Sequence, residues 1–483
     1  MSKKAKTAIT PTREDDFPEW YQQVIRAADM AENSPVRGCM IIKPYGYAVW
    51  ENIQRIFDDM IKALGVENAY FPLLIPMEFM NREAEHVDGF AKECAVVTHH
   101  RLEKGENGLV PSESAKLEEP YIIRPTSETI IGDSMSRWVQ SYRHLPMKLN
   151  QWCNVMRWEM RTRMFLRTSE FLWQEGHNAF EDAQGGIEDH EKMLDAYADL
   201  VENYMAIPVI RGKKTPDETF PGAVSTLTIE AMMQDGKALQ SATSHYMGEN
   251  FARSMGIKYQ NREGSESYAH TTSWGLSTRT IGAMIMVHGD DDGMIMPPRI
   301  APHPVGIIPI IRDDQDEGSI LAYCHDLVQK LKAMEIRAFL DDSSARTPDK
   351  MWGMIKKGVP VRVEIGAREV AENTLTHVRR DLGRDSKETC GIDEFVGKIT
   401  QIMDDIHNTL YKRAEDFMQA NTTRVNDLHA LENHFKEAGR GFVVMPASLL
   451  DNPDLERIKK DHSLTARCMP LDAPDSVIIG KAY

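Results

Sequence analysis

The chain has 483 residues, which predicts about three domains at roughly 100 to 200 residues each and excludes a small scaffold. Hydrophobic residues make up 42% and charged residues 27% of the sequence, so the composition is that of a globular protein and not of a disordered one. The 57 Lys and Arg residues against 73 Asp and Glu residues give a net charge of −16, so a nucleic-acid partner would need a local basic patch.

The six cysteines and the distribution of apolar residues indicate the compartment. The sequence has no CxxC pair, unlike a zinc ribbon, and the scatter of the cysteines is unlike a disulfide framework. No apolar run approaches the roughly 20 residues that a membrane span needs, and the N-terminus shows no signal segment. We expect a soluble, cytoplasmic protein without a membrane partner.

A long β-hairpin with charged side chains is predicted over residues 149–177. Alternation along its first strand puts Gln151, Arg157 and Glu159 on one face. The second strand would place four side chains together: Phe171, Trp173, Glu175 and His177. Because guanidinium groups pair with phosphate and aromatic rings stack on bases, this hairpin predicts a nucleotide site, with structural salt bridges as the alternative.

The segment 297–304 contains four prolines and predicts a domain boundary, since proline interrupts both helices and central strands. After it, elements alternate as in a small α/β domain: strands at 305–311, 336–340 and 361–366, and helices at 320–334 and 350–357. Residues 393–420 predict a helix with one core-facing apolar stripe, and the residues from 421 onward predict a smaller third unit.

Several motifs resemble those of class II aminoacyl-tRNA synthetases. Arg157 with Glu159, followed after a loop by Arg167 and Phe171, matches motif 2 of that class. Further matches narrow the resemblance to the prolyl-tRNA synthetase family, and they lie at 124–128, 165–168, 171–177, 243–245 and 273–279. The resemblance spans roughly residues 17 to 420.

This resemblance implies a fold class and a domain order. It implies an α+β catalytic domain built on an antiparallel sheet, then an α/β anticodon-binding domain and a small α+β C-terminal domain. We place these domains at 1–300, 303–405 and 421–483, with a helical linker at 406–420. Within the first domain, motif 1 would lie at about 50–76, motif 2 at about 149–180 and motif 3 at about 273–299.

The resemblance implies that ATP binds along motifs 2 and 3. Arg157 would contact the α-phosphate and the carboxylate of the amino acid, Arg279 would hold the γ-phosphate, and Phe171 would stack under the adenine. The remaining nucleotide-binding residues would be Glu159, Arg167, Thr168, Gln240, Thr243 and Ser277. Mg²⁺ would accompany the phosphates, held by water and carboxylates.

The resemblance also implies a proline pocket. Thr126 and Glu128 match a Thr-x-Glu pair whose carboxylate receives the proline imino group. Arg157 would reach the same substrate, and the other pocket residues would be Trp173, Glu175, His177, His245 and Ser273. A cationic secondary amine needs a buried anion, and its ring needs an apolar wall. For His245, the alternative is a core histidine without a functional role.

Motif 1 and the spacing of the later motifs imply two further properties. A helix over 50–64 followed by a strand at 69–72 that ends in Pro72 resembles the dimer interface of class II enzymes, and it implies a homodimer. The stretch between His177 and Ser273 is too short for the inserted editing domain of the common bacterial type. The chain therefore resembles the archaeal and eukaryotic type.

Residues 358–366 and 378–381 resemble the anticodon-binding domain of prolyl enzymes. Glu364 can accept a hydrogen bond from a guanine edge, and Arg379 or Arg380 can donate one, which would fit the two guanines of a proline anticodon. Which arginine reads a base stays open, and each of these side chains has a structural role as its alternative. The implied partner is tRNA(Pro).

The C-terminal unit departs from the family pattern. The family commonly holds zinc here through four cysteines, whereas this chain has Ser448, Leu455 and residues 477–480 at those places and Cys468 alone. One thiolate cannot build a tetrahedral site, so we expect no protein zinc site and a unit held by packing. The chain ends in Tyr483, as family members often do, and we expect this tail to reach toward the active site.

The implied activity is that of a proline–tRNA ligase. L-proline and ATP would give prolyl-adenylate and pyrophosphate, and proline would then pass to the 3′ end of tRNA(Pro). Two alternatives stay open: a paralogue that has lost charging and serves as a binding or regulatory protein, and a second enzyme copy that resists an inhibitor of the proline pocket or uses a proline analogue. The joint presence of both arginines, the Thr-x-Glu pair and the anticodon-type domain disfavours the first.

Overall fold

The computed structural model describes residues 7–84, 93–312 and 315–483. Residues 1–6 and 85–92 of the predicted catalytic domain, and residues 313–314 of the predicted anticodon-binding domain, lie outside that description. Within the described residues, no helix has the length and apolar character needed to cross a bilayer. The described elements form three units in chain order.

The first unit begins with helices and short strands. Its elements are α1 (Phe17–Ala27), β1 (Ala31–Asn33), β2 (Met40–Ile42), α2 (Pro44–Ala63), β3 (Glu67–Asn68), β4 (Leu74–Pro76), α3 (Met77–Ala84), β5 (Val96–His99), β6 (Leu102–Gly105), β7 (Gly108–Pro111), β8 (Lys116–Ile123) and α4 (Glu128–Trp138). Helix α2 begins at Pro44, earlier than predicted, because the missing N–H and the preset φ of proline suit the first turn.

The predicted motif 1 strand at 69–72 is wrong in its position. The strand after α2 is the two-residue β3, and the next strand begins at Leu74, so Pro72 lies exposed between them. Only Ala69 continues the pairing, with its N–H donating to the Asn150 carbonyl at 2.8 Å. The irregular segment that follows contains Pro72, which cannot donate a ladder hydrogen bond.

The long strands of the first unit form its central sheet. They and their helices are β9 (Met147–Met156), β10 (Glu170–Phe180), α5 (Ala183–Asn203), β11 (Ile210–Lys213), β12 (Ser225–Met232), β13 (Ala238–Gly248), α6 (Asn250–Met255), β14 (Lys258–Gln260), β15 (Glu266–Tyr268), β16 (His270–Ser277) and α7 (Arg279–His288). The order across the sheet is β3-β9-β10-β16-β13-β12-β11, and every pair except β3–β9 is antiparallel. The elements between His177 and Ser273 belong to this unit, so no inserted domain interrupts it.

Aromatic packing holds two helices against this sheet. The rings of Phe57 on α2, Tyr197 on α5 and Trp274 on β16 lie 4.9 to 6.4 Å apart. Gly176 makes room for Trp274, because a Cβ at position 176 would lie 1.9 Å from the indole. This layer buries one face of the sheet and leaves the side chains of the other face for the site described below.

The second unit is the predicted α/β domain. Its elements are β17 (Val305–Ile310), α8 (Glu317–Ala333), β18 (Ala338–Leu340), α9 (Thr347–Lys357), β19 (Val361–Gly366), α10 (Ala367–Glu372), β20 (Thr374–Arg379), β21 (Glu388–Gly391) and α11 (Ile392–Ala420). The three predicted strands are confirmed, and the sheet order is β18-β17-β19-β20-β21. The apolar stripe of α11 faces the core through Phe395, Ile399 and Ile406. Because α11 is one continuous helix, the predicted limit between residues 405 and 406 falls inside it.

The third unit continues the sheet of the first. Its elements are β22 (Thr422–Arg424), α12 (Leu428–Glu437), β23 (Phe442–Pro446), α13 (Pro453–His462), β24 (Thr465–Pro470) and β25 (Ser476–Gly480). The order β22-β23-β25-β24 extends onto β11, where Gly212 pairs with Pro470. Leu455, Leu464 and Val477 are buried, as expected of a unit held by packing. The predicted separate unit therefore shares a sheet with the first unit.

The last residue returns to the first unit. The Tyr483 N–H donates to the Ala238 carbonyl at 3.1 Å, and its hydroxyl donates to Asp235 Oδ2 at 2.6 Å. The guanidinium of Arg163, in the loop between β9 and β10, lies 5.8 Å from the Tyr483 ring. The tail therefore contacts the turn between β12 and β13 and the motif 2 loop.

Candidate active site

Three neighbouring strands bring the predicted residues to one face of the central sheet. Glu175 on β10 pairs with Gln151 on β9, and His177 pairs with Ser273 on β16. Ser273 in turn pairs with His245 on β13. Because side chains two residues apart on a strand share a face, Trp173, Glu175 and His177 project together.

This face opens into a cavity of about 430 Å³. All residues predicted to bind proline line it, together with two predicted to bind ATP: Thr126, Glu128, Arg157, Trp173, Glu175, His177, Gln240, Thr243, His245 and Ser273. The hydroxyl of Ser273 is buried without a hydrogen-bond partner among the described residues. Such a group is available to a ligand.

Glu175 is a buried carboxylate with a complete set of donors. Ser127 Oγ donates to its Oε1 at 2.5 Å and Gln151 Nε2 donates to the same oxygen at 2.8 Å. Its Oε2 lies 3.2 Å from His177 Nε2. Burial alone would raise the pKa of Glu175, but these hydrogen bonds and the charge of His177 offset it and hold that pKa below its usual range.

The interaction between Glu175 and His177 also favours the protonated form of His177. Burial would lower its pKa, but the hydrogen bond to Glu175 and the charges of Glu128 and Glu175 raise that pKa above its usual value. Glu128 stands at the start of α4, where its carboxylate accepts a hydrogen bond from the Thr126 hydroxyl. The floor of the cavity is therefore acidic, as a cationic amine requires.

Glu128, Glu175 and His177 place ligand-type atoms within 4.8 Å of one another, a spacing that could also hold a metal ion. Both oxygens of Glu175 are already hydrogen-bonded, and His177 Nε2 faces one of them. A metal would have to displace these bonds, whereas an ammonium group needs only the carboxylate of Glu128. The donor set fits an amine better than a metal.

His245 is a neutral wall of the cavity. Its Nδ1 lies 2.9 Å from the Thr226 hydroxyl, and its ring lies 4.6 Å from that of Phe220. Burial lowers the pKa of His245 to about 3, with the charges of His190 and His177 adding to the shift. The side chain therefore presents an uncharged, partly apolar surface near neutral pH.

A second cavity of about 280 Å³ adjoins the first. Its lining includes seven predicted nucleotide-binding residues: Arg157, Glu159, Arg167, Thr168, Phe171, Ser277 and Arg279. Glu93 also lines it, and its carboxylate and that of Glu159 are oxygen ligands of the kind that Mg²⁺ prefers. Arg157 lines both cavities and so joins them.

The two arginines are held from the backbone. Arg157 Nε donates to the Pro125 carbonyl at 3.0 Å, and Arg279 Nε donates to the Leu166 carbonyl at 3.1 Å. The Arg157 guanidinium lies 5.3 Å from the centre of the Trp173 ring. Burial lowers the pKa of both side chains, and it lowers that of Arg279 to about 10. Each guanidinium group stays cationic at neutral pH. An anion bound between them would meet two desolvated positive charges.

Comparisons with known proteins agree with this geometry. Residues 112–288 match the model of the tRNA synthetase class II core domain (G, H, P, S and T), and residues 304–402 match that of the anticodon-binding domain. A curated proline–tRNA ligase of Bdellovibrio bacteriovorus is 53% identical over 97% of this chain and 95% of its own length. The chain belongs to the prolyl-tRNA synthetase family. Another member, from Sphingopyxis alaskensis, is 51% identical over 99% of this chain and 96% of its own.

Solved structures of prolyl-tRNA synthetases share the whole fold. The Cryptosporidium parvum enzyme complexed with L-proline and AMP superposes with a TM-score of 0.89 at 34% identity, covering 99% of this chain and 97% of its own. The same enzyme complexed with halofuginone and AMPPNP gives a TM-score of 0.90 at 35% identity, with 99% of each chain covered.

In the anticodon-binding domain, the predicted tRNA contact Arg380 is paired within the protein. Arg380 donates from Nη1 and Nη2 to Asp290 at 2.8 and 2.6 Å, and from Nε to the Ile355 carbonyl at 3.0 Å. Asp290 follows α7 of the first unit, so Arg380 joins the first and second units of the chain. Its donors are committed to this bond and are not presented to a base.

Glu364 and Arg379 are also paired within the protein. Glu364 Oε1 accepts from Arg362 at 3.2 Å, and its Oε2 accepts from Lys387 at 3.0 Å. Arg379 Nη2 donates to Asp381 at 2.7 Å. Lys387 is exposed, so an approaching tRNA would meet this group at its ammonium.

Sequence reasoning missed several residues that support the candidate site. Ser127 and Gln151 fix Glu175, although the alternation of the strand had put Gln151 on the charged face. Lys214 and Phe220 line the larger cavity from the loop after β11. No local sequence pattern predicts that Lys214 and Phe220 line the cavity, because each contacts a residue on another strand, Glu230 and His245 respectively.

Proposed function

We propose that this chain ligates proline to tRNA(Pro) in two steps, with adenylation at the joined cavities. One observation carries this assignment: Arg157 lines both the acidic pocket and the cationic one. The carboxylate of an amino acid bound in the first would then meet the α-phosphate of ATP bound in the second. This arrangement suits attack of carboxylate oxygen on phosphorus, with pyrophosphate leaving in line.

The acidic pocket would bind proline by its amine. We infer that Glu128 receives the imino nitrogen, because its carboxylate lines the cavity beside Thr126, whereas that of Glu175 is already saturated by protein donors. Trp173 and the neutral His245 would border the ring. Glu175 and His177 act as a fixed, hydrogen-bonded wall that holds the pocket in shape.

The cationic cavity would bind ATP. Arg157 would neutralise the α-phosphate as negative charge builds in the transition state, and Arg279 would hold the γ-phosphate. Phe171 offers a ring face for the adenine, and Arg167 is held beside the cavity by Glu159 at 3.1 Å. The other nucleotide contacts are those proposed from the sequence: Thr168, Gln240, Thr243 and Ser277.

Mg²⁺ would accompany the nucleotide. Glu93 and Glu159 are the residues whose carboxylates fit it in this cavity. Bound there, the ion would offset phosphate charge. The arginines, the acidic pocket and the walls described above carry the remaining work of binding and orientation.

We propose that a homodimer forms through motif 1 and the small sheet after it. Apolar residues are exposed there, including Tyr70 at 74% and Leu109 at 71%. Exposed apolar surface of this kind marks association sites. Sedimentation should give the dimer mass for the wild type and for Leu382→Glu, an exposed apolar site in the anticodon-binding domain, but a monomer for Leu109→Glu. A wild-type monomer would contradict the proposal.

We place the reaction in the cytoplasm. All six cysteines are free thiols in the structure, as expected in a reducing compartment. The tRNA substrate supports the same location.

We propose that tRNA(Pro) binds the α/β domain near Glu364 and Arg379. Lys387 is the exposed cation beside Glu364, so phosphate contacts are expected there and tRNA affinity should fall steeply with salt. Arg380 has no part in this proposal, because it binds Asp290.

ATP–pyrophosphate exchange without tRNA tests the adenylation site. Each of the twenty amino acids is assayed in turn with wild-type protein. Exchange driven chiefly by proline is the expected result. Exchange with none of them, in folded dimeric protein, would overturn the proposal and favour the non-catalytic paralogue.

A further inference from the structure

A buried ion cluster joins the C-terminal unit to the adenylation cavities. Lys214 Nζ donates to Glu230 Oε1 at 2.9 Å, and Arg467 Nη2 donates to Glu230 Oε2 at 2.9 Å. The side chains of Lys214, Glu230 and Arg467 are 3%, 0% and 8% exposed. Lys214 lines the larger cavity, whereas Arg467 comes from β24, at the other end of the chain.

The backbone is shaped to bring these groups together. The pairing of β12 with β13 shifts register at Glu230, and the pairing of β24 with β25 shifts at Arg467. Such bulges re-aim a side chain relative to its strand. Gly212 lets β24 approach β11 closely, because a Cβ there would lie 2.5 Å from Cys468 Sγ.

The cluster carries unbalanced charge. Glu230 supplies one negative charge between two cations, so one positive charge is left over. Coulomb interactions between buried groups are weakly screened, so this charge acts on the neighbouring site. Burial and neighbouring arginines lower the pKa of Arg279 to about 10, with Glu230 acting against this shift and Arg467 with it. The charges of the cluster therefore act on Arg279, which is proposed to hold the γ-phosphate.

We propose that Arg467 is a positioning residue of the adenylation site: by neutralising Glu230 it leaves the charge of Lys214 available to the phosphates of ATP. Without Arg467, Lys214 and Glu230 would cancel each other, and the cavity would lose one positive charge. The proposal rests on ATP binding in the cavities as proposed above. It gives the C-terminal unit a role in the chemistry.

The test is steady-state ATP–pyrophosphate exchange with Arg467→Met in the full chain. We expect the KM for ATP to rise about tenfold, since a unit charge is lost near the phosphates. The KM for proline should stay within about twofold, because the zwitterion has no net charge. The matched control is Arg457→Met, which breaks an exposed ion pair with Glu432 in the same unit and should leave both constants unchanged.

A double variant separates charge from structure. In Arg467→Met with Glu230→Gln, Lys214 is again the unbalanced cation, so the KM for ATP should return to within about threefold of the wild type. Arg467→Lys keeps the charge and should behave likewise. A purely structural role predicts instead that the double variant is no better than the single one, and that result would overturn the proposal.

The proposal can be tested even if the Arg467→Met variant does not fold. If Arg467→Met does not fold, Glu230→Gln alone decides: the proposal expects no rise in the KM for ATP, and a rise overturns it. An unchanged KM for ATP in folded Arg467→Met overturns it as well. Proline-dependent exchange by the wild type is measured first, so a failure of the adenylation site itself is seen independently of Arg467.

Discussion

The catalytic cavities and the anticodon-binding domain hold their charged residues in different ways. Arg157 and Arg279 are each anchored by Nε to a backbone carbonyl and line a cavity. Arg379 and Arg380 each donate to a carboxylate of the protein, that of Asp381 and that of Asp290 respectively. The first arrangement places a cation in the wall of a cavity, whereas the second pairs it with a carboxylate of the protein.

This difference shows that a charged residue in a sequence motif does not by itself indicate a ligand contact. A backbone carbonyl orients an arginine without adding a negative charge beside it. A carboxylate partner cancels most of the charge of the arginine and leaves only a salt bridge. The same residue type therefore has different roles in the two domains, and substitutions can test the contrast.

The largest effect is expected for Arg157→Ala. The variant removes the cation that both cavities share, so adenylate formation should fall by about 1,000-fold or more. ATP–pyrophosphate exchange measures the loss, and Arg161→Ala, an exposed residue of the same loop, is the control and should stay within about threefold. Equal, small losses in both variants would show that the shared arginine is not the centre of the site.

The next largest effect is expected for Glu128→Gln. An uncharged amide weakens the bond to the proline ammonium by about 1.5 to 3 kcal/mol, so the KM for proline should rise roughly 10- to 100-fold. The KM for ATP should change far less. Glu118→Gln, exposed on β8, controls for loss of a negative charge. If both KM values rose equally, the acidic pocket would not be specific to the amine.

Much of the catalytic face could be predicted from local sequence. Alternation along β10 put Trp173, Glu175 and His177 together, because the period of a strand is a local property. The wrong strand at 69–72 shows the limit of such patterns. Its apolar residues have strand composition, but pairing depends on where β9 lies, and β9 accepts only the residues up to Ala69.

Long-range partners could not be predicted. Arg467 and Glu230 are 237 residues apart, and Arg380 and Asp290 are 90 residues apart. The sequence contains many charges of both signs, so composition does not say which will meet. Topology decides this, through the continuation of the catalytic sheet into β24 and the docking of the α/β domain.

A pair of variants in the anticodon-binding domain is expected to have a moderate effect. Arg379→Ala should lower tRNA charging about tenfold and leave ATP–pyrophosphate exchange unchanged. Arg380→Met should instead lower the Tm, because it leaves Asp290 without its bidentate partner. Matching losses of exchange and charging in Arg379→Ala would contradict the assignment of this domain to tRNA.

The smallest effect on stability at neutral pH is expected for a buried histidine at the end of α7. His288, at the end of α7, donates from Nε2 to the Met205 carbonyl at 2.9 Å. Burial lowers its pKa to about 4, so His288 stays neutral in the folded protein where an unfolded histidine, with a pKa of about 6.5, takes up a proton. Below about pH 6.5 the unfolded chain therefore binds more protons, and stability is lost as the pH falls toward 4.

His288→Gln keeps a donor for Met205 but removes the titration. From pH 7 to pH 5 the native protein should lose about 2 kcal/mol of stability through this group, so its Tm should fall more than that of the variant. His429→Gln, at an exposed site, should follow the native protein. A variant Tm that falls as steeply as the native one would mean that His288 is protonated in the folded state. In that case burial next to a carbonyl would not be enough to keep a histidine of this domain neutral, and the neutral wall assigned to His245 would lose its physical basis.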